Sequence, residues 1–184
     1  LGSKKQQGYT ELAQKEKLIK TVFLVRHAKA EPQDAKKSDH DRRLIDKGMR
    51  HAEKMASLVA GFRFPPELIY SSSAARAKET ATIFAGALKL KDALEVSEDL
   101  YSSSAQSYLQ KIQKTGDETS AVMLVGHNPV LEDLLVMLTS RSPFHCKMPT
   151  CGMAIIHFHV TLWSEIRPAT GILRSLIYPK LFLE

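Results

Sequence analysis

The chain has 184 residues, 43% hydrophobic and 25% charged, the proportions of a soluble globular protein that buries roughly two thirds of its unfolded surface in a single domain. No run reaches the roughly 18 apolar residues of a membrane-crossing helix, and no charged-then-apolar leader stands before a small-residue cleavage site, so a cytoplasmic protein without membrane contact is expected. The net charge of +6 is spread over scattered lysines with no basic stripe between aromatics, which argues against nucleic acid and for steering an anionic partner into a cleft.

Residues 1–18 are polar, lack an apolar period and begin Leu-Gly-Ser, so they read as a tail or cloning remnant ahead of one domain over 19–184. From Thr21 the chain turns to Thr-Val-Phe-Leu-Val, a continuous apolar run of the kind that forms a buried central strand. Asp46 reads as the N-cap of a helix with Ala52, Met55, Ala56 and Val59 on one face, closed by Gly61 and Pro65-Pro66. Leu68-Ile69-Tyr70 predicts a strand, and Ala77, Ala81, Phe84, Ala85 and Leu88 recur at helical spacing after it, with Arg76 in the first turn.

Leu94-Glu95-Val96 predicts a short strand, and Tyr108, Leu109 and Ile112 mark a helix behind a serine-rich stretch. Ala121 to Val125 repeats the opening device, a buried strand ending at Gly126-His127, with a helix from Val130 through Leu138 behind Pro129. Met153 to Val160 and Gly171 to Ile177 predict two antiparallel late strands joined by a turn over Trp163 to Thr170. Strands alternating with helices in this way predict an α/β fold, a mostly parallel central sheet with helices on both faces.

Ligands of such sheets bind beyond the carboxyl ends of the strands, and His27, Ser72 and His127 all fall there. Histidine is a nitrogen nucleophile near neutrality, and arginine is a permanently charged fork matched to phosphate oxygens. Two of each at one sheet edge point to phosphoryl transfer. Cys146 and Cys151 lie near His145, but no second ligand pair stands nearby, so they read as buried or half-buried thiols and not as a zinc site.

Leu24-Val25-Arg26-His27-Ala28, Ser72 to Arg76 followed by Ala77 and Thr80, and Gly126-His127-Asn128-Pro129 together resemble the histidine phosphatase superfamily, and within it the SixA-type phosphohistidine phosphatases. The resemblance runs from about Thr21 to Tyr178-Pro179-Lys180 and implies a phosphoglycerate mutase-like fold in a small variant poor in lid insertions. It implies that His27 attacks phosphorus to form a covalent phosphohistidine, while Arg26, Arg76 and His127 donate to the phosphoryl oxygens, with no metal and no cofactor. Arg42 is preferred to its neighbour Arg43 as a further phosphate-facing arginine, and Asn128 either orients its loop or contacts phosphate.

Two departures from the family pattern stand out. Ala28 replaces the usual glycine after the first histidine, and Leu100-Tyr101-Ser102-Ser103-Ser104 has no carboxylate where many members carry a glutamate general acid. Imidazole, whose conjugate acid has a pKa of about 6.5, can leave as a neutral group, whereas an alkoxide needs a proton donor. The expected substrate is therefore phosphohistidine on a protein, such as a histidine phosphotransfer domain. A small-molecule phosphomonoester phosphatase and a non-catalytic phosphate-binding module are the alternatives. Glu98 is expected to be an exposed charge, His40 and His51 surface residues, His157 and His159 the wetter face of a strand, and His145 a residue at the cleft mouth.

Overall fold

A computed structural model of the chain describes residues 19–35 and 37–182; the polar segment 1–18 lies outside them. Six strands, β1 (Lys20–Arg26), β2 (Leu68–Ser72), β3 (Leu94–Ser97), β4 (Ala121–Gly126), β5 (Met153–Phe158) and β6 (Ile172–Ile177), form one sheet in the order β3-β2-β4-β1-β5-β6. The first four in that order run parallel, β5 is antiparallel to β1, and β6 is antiparallel to β5. The mostly parallel sheet and its late antiparallel pair match the sequence reading.

Side-chain alternation along β1 sends Val22 and Leu24 to one core and Phe23 and Val25 to the other. The first core is closed by α3 (Ala105–Gln113), through Tyr108, Leu109 and Ile112, and by α4 (Val130–Thr139), through Leu131, Leu134, Leu135 and Leu138. The second is closed by α1 (Asp46–Ala60) and α2 (Ala75–Leu88), whose small Ala52, Ala56, Ala77 and Ala81 let the helices approach the sheet closely. Helices thus cover both faces, and polar residues are left to the strand ends.

Local boundaries differ from expectation in a few places. Asp46 is the first helical residue of α1 and not its N-cap; extended Ile45 takes that position because its N–H donates to the carbonyl of Lys29, and the Asp46 charge still complements the helix start. Pro129 is the N-cap of α4. β5 stops at Phe158, so His159 lies beyond the strand it was expected to share with His157. Cys151 is buried and Cys146 half-buried, both free thiols.

Two glycines set the spacing around the strand ends. A Cβ on Gly48 would lie 2.0 Å from the carbonyl oxygen of Lys29, so only glycine lets α1 press on the loop after β1. A Cβ on Gly126 would lie 2.3 Å from the Tyr108 hydroxyl, which donates to the carbonyl of Leu100 at 2.9 Å. That bond ties Leu100 to α3 beside the end of β4.

Candidate active site

The registers place Arg26 opposite Gly126, and Val125 opposite both Val25 and Ser71, so the ends of β1, β4 and β2 lie side by side. His27, His127 and Ser72 leave these ends together. The two imidazole centroids are 5.4 Å apart, and both histidines are only 8% exposed. Arg76, 5% exposed, reaches them from the first turn of α2. The four residues singled out from three distant motifs converge on one edge.

His27 Nδ1 donates to the carbonyl of Ala28 at 2.8 Å, which leaves Nε2 unprotonated; Arg76 Nε donates to that Nε2 at 3.3 Å. Burial holds the ring neutral, lowering its pKa to about 3, with the charges of Arg76 and Arg26 acting in the same direction. The Ala28 N–H in turn donates to Thr80 Oγ1 at 3.0 Å, and Thr80 donates to the Arg76 carbonyl at 2.7 Å. One hydroxyl therefore fixes the loop after β1, which carries His27, to the helix that carries Arg76. Ala28 is fully buried at negative φ, so the side chain that replaces glycine is accommodated.

His127 Nε2 lies 2.7 Å from Ser72 Oγ, and its Nδ1 is buried without a hydrogen-bond partner. Burial, reinforced by the Arg76 charge, lowers its pKa to about 4 against the opposing pull of Asp39. Arg26 Nη1 donates to the carbonyl of Met148 at 2.8 Å, while its Nε is buried without a partner. Asn128 Nδ2 donates to Met148 O at 3.0 Å and to Glu132 Oε1 at 2.6 Å, a loop-orienting arrangement.

Arg42 and Arg43 part company here. Arg42 Nε donates to Asp39 Oδ1 at 2.9 Å and Nη1 to the Glu31 carbonyl at 2.7 Å, so it stands one carboxylate away from Arg76. Arg43 is exposed and pairs with Glu79. His145 lines a separate crevice beside Arg26, with Asn128, Glu132, Cys146 and Lys147.

The sequence reading passed over three residues that organise this edge. Asp39 Oδ2 accepts from Arg76 Nη2 at 2.8 Å and from the Tyr101 hydroxyl at 3.1 Å. Partial burial opposes ionisation of Asp39, but the hydrogen bonds from Arg76 and Arg42 prevail and bring its pKa to about 2. Tyr101 stands edge-on between His40 at 4.8 Å and His127 at 5.8 Å. His40, expected in an open charged loop, instead bonds Ser73 Oγ through Nε2 at 2.9 Å, and Ser73 donates to Glu98 Oε2 at 2.8 Å. Glu98 is 79% exposed, as expected, yet belongs to the rim. Neither Asp39, in a charged turn, nor Tyr101, in a serine-rich segment, carries a local pattern that marks its place at this edge.

Among the described residues no group of three or more His, Cys, Asp or Glu is placed to hold a metal ion, and no helix is long and apolar enough to cross a membrane. The family model of the histidine phosphatase superfamily (branch 1) matches residues 22–104. An uncharacterized chloroplastic protein of Arabidopsis thaliana is 28% identical over 84% of this chain and 73% of its own length, and an uncharacterized protein of Mycobacterium tuberculosis is 25% identical over 85% of this chain and 100% of its own. Among solved structures, a protein of Agrobacterium tumefaciens named for the phosphohistidine phosphatase SixA is 30% identical, with a TM-score of 0.74 over 87% of this chain and 98% of that one. A protein histidine phosphatase SixA complexed with tungstate shares the fold at a TM-score of 0.75 and 22% identity, covering 88% of this chain and 98% of that one. With the motif residues gathered at one sheet edge and a 30% identical relative covered almost end to end, the chain belongs to the histidine phosphatase superfamily.

Proposed function

We propose that the protein is a phosphatase that removes the phosphoryl group from histidine on a protein partner, such as a phosphotransfer domain, by way of a covalent phosphohistidine on His27. The observation that carries the proposal is the state of His27: a neutral ring whose Nδ1 hydrogen is held by the Ala28 carbonyl and whose Nε2 lone pair faces Arg76 and the ring of His127. In the first step the Nε2 pair attacks phosphorus as the P–N bond of the substrate, whose ring is protonated on its other nitrogen, breaks, and a neutral imidazole leaves with the bonding pair on one nitrogen and the proton on the other. In the second step water attacks phosphorus, the bond to Nε2 breaks with its pair returning to His27, and inorganic phosphate leaves.

Arg76 and Arg26 supply guanidinium donors to the phosphoryl oxygens, and Arg42 adds charge behind Asp39. His127 donates through Nδ1, the tautomer in which Nε2 accepts the Ser72 hydroxyl hydrogen. Asn128 holds the loop that carries His127. The substrate assignment draws support from the carboxylate bonded to Arg76: with a pKa of about 2, Asp39 carries no proton to give to an alkoxide at neutral pH. An imidazole leaving group carries its own proton on the distal ring nitrogen, which titrates near neutrality, and needs none from the protein. The SixA-named relatives agree with this choice.

The test is incubation with a phosphotransfer domain phosphorylated on histidine, alongside a panel of sugar phosphates. Release of inorganic phosphate, with acid-labile label trapped on His27 and lost in His27→Ala, is the expected result. Efficient turnover of sugar phosphates with the phosphoprotein untouched overturns the substrate assignment, and full activity in His27→Ala overturns the nucleophile.

A further inference from the structure

Beside the histidine pair runs a second feature, a crevice lined by Arg76, Asp39, His127, Tyr101 to Ala105, Asn128 to Val130 and Asp133. Arg76 and His127 belong to both this crevice and the phosphoryl-binding set, but His27 and Arg26 do not line it. An in-line displacement keeps nucleophile and leaving group on opposite sides of phosphorus. A crevice that shares the phosphoryl donors and excludes the nucleophile is where the departing group belongs. His127, buried and with its Nδ1 unpartnered, stands between the two spaces.

The charges facing this crevice are few enough to sum. Asp39 is shared between Arg76 at 2.8 Å and Arg42 at 2.7 Å, which leaves one net positive charge on the phosphoryl side of the crevice. The N-terminal end of α4 contributes about half a positive charge. Asp133, exposed in the first turn of α4, contributes a full negative charge at the lip. Its neighbour Glu132 turns away, accepting from Asn128 Nδ2 and from the Met148 N–H. The uncharged lining combines the hydroxyls of Tyr101, Ser102, Ser103 and Ser104 with Ala105, Asn128, Pro129 and Val130.

We infer that this crevice is the leaving-group subsite and that Asp133 is its specificity-determining residue, selecting neutral or cationic leaving groups that donate hydrogen bonds and disfavouring those that carry a carboxylate or a second phosphate. The inference rests on the phosphatase reading and adds a preference that does not depend on whether the scissile bond is P–N or P–O. The Asp133 carboxylate forms no hydrogen bond or ion pair with Arg26, His27, Arg76 or His127 and is exposed at the lip, so it acts on the far end of the substrate through its charge.

The test uses three aryl phosphates of similar leaving-group basicity: phenyl phosphate, 4-carboxyphenyl phosphate and 4-(aminomethyl)phenyl phosphate. The wild type is expected to rank them by kcat/KM as aminomethyl, then unsubstituted, then carboxyl. Asp133→Asn should compress the ratio of the two charged substrates about threefold, and Asp133→Lys should shift it about tenfold toward the carboxylate, the scale of removing or reversing one solvent-facing charge. The discrimination should shrink at 1 M salt, where screening extends only about 3 Å. The ratio within each variant cancels any change in turnover common to all three substrates, and urea midpoints equal to the wild type's separate selectivity from misfolding. Active enzymes with the same three-way ratio in wild type, D133N and D133K overturn the subsite and leave the His27 mechanism standing. Absence of wild-type turnover on all three, with the histidine-phosphorylated phosphotransfer domain still hydrolysed, overturns this inference alone, and absence of turnover on that phosphoprotein as well overturns the phosphatase reading.

Discussion

Acidification from pH 7 to pH 5 should remove about 4 kcal/mol of folding stability through His27 and His127 alone. Both rings are held neutral by burial, with folded pKa values of about 3 and about 4, whereas an unfolded histidine titrates near 6.5. Below pH 6.5 the unfolded chain therefore binds more protons, so the stability these rings contribute is complete above that value and declines as pH falls toward 4 and 3. Over the two units from 7 to 5 the unfolded state gains about 2 kcal/mol per ring, while neither folded ring has begun to charge.

Asp39, with a folded pKa of about 2 below its unfolded value, loses stabilisation only at lower pH and leaves this window to the histidines. The single Trp163 is fully buried and gives a fluorescence signal for urea unfolding at pH 7, 6 and 5. His27→Gln and His127→Gln should each lessen the fall in unfolding free energy by about 2 kcal/mol, half the pair's contribution. Comparing slopes cancels the remaining titrating groups. Variants that keep the full wild-type slope would refute the claim that these rings are buried in the neutral state.

Thr80→Val should cost about 1–3 kcal/mol, because it leaves the Ala28 N–H buried without an acceptor, and it should lower kcat more than KM as the loop carrying His27 loses its tie to α2. Thr80→Ser keeps the hydroxyl and should restore both, as read by urea midpoint and steady-state kinetics. Arg42→Ala should lower kcat/KM on an aryl phosphate about tenfold or more, since Arg42 shares Asp39 with Arg76, whereas Arg43→Ala should stay within about twofold, having lost only an exposed pair with Glu79. Equal losses in the two variants would remove Arg42 from the site.

The strands and helices were legible because their periods are strong. The unbroken run Val22 to Val25 has no solvent-facing alternate, which is the mark of a strand covered on both faces, and the structure buries it so. Arg26, His27, Arg76 and His127 were legible because each stands within two residues of a strand end or helix start, where the chain must leave the core. Asp39 was not, because a carboxylate in a charged turn looks the same whether it faces water or an arginine 37 positions away. His40 and Tyr101 were hidden for the same reason: their roles are contacts with each other and with Ser73, Asp39 and His127, made across elements distant in sequence.

The sequence by itself determined the order of elements, the burial of the central strands and which histidines and arginines stand at the strand ends and the helix start, since all of these follow from local pattern and side-chain chemistry. The tertiary structure alone decided that the two imidazoles lie 5.4 Å apart in neutral form, that Arg42 and not Arg43 shares a carboxylate with Arg76, and that a crevice opens beyond them toward Asp133. Distance and desolvation between groups far apart along the chain are set by how helices close over a sheet, and no window of sequence contains them.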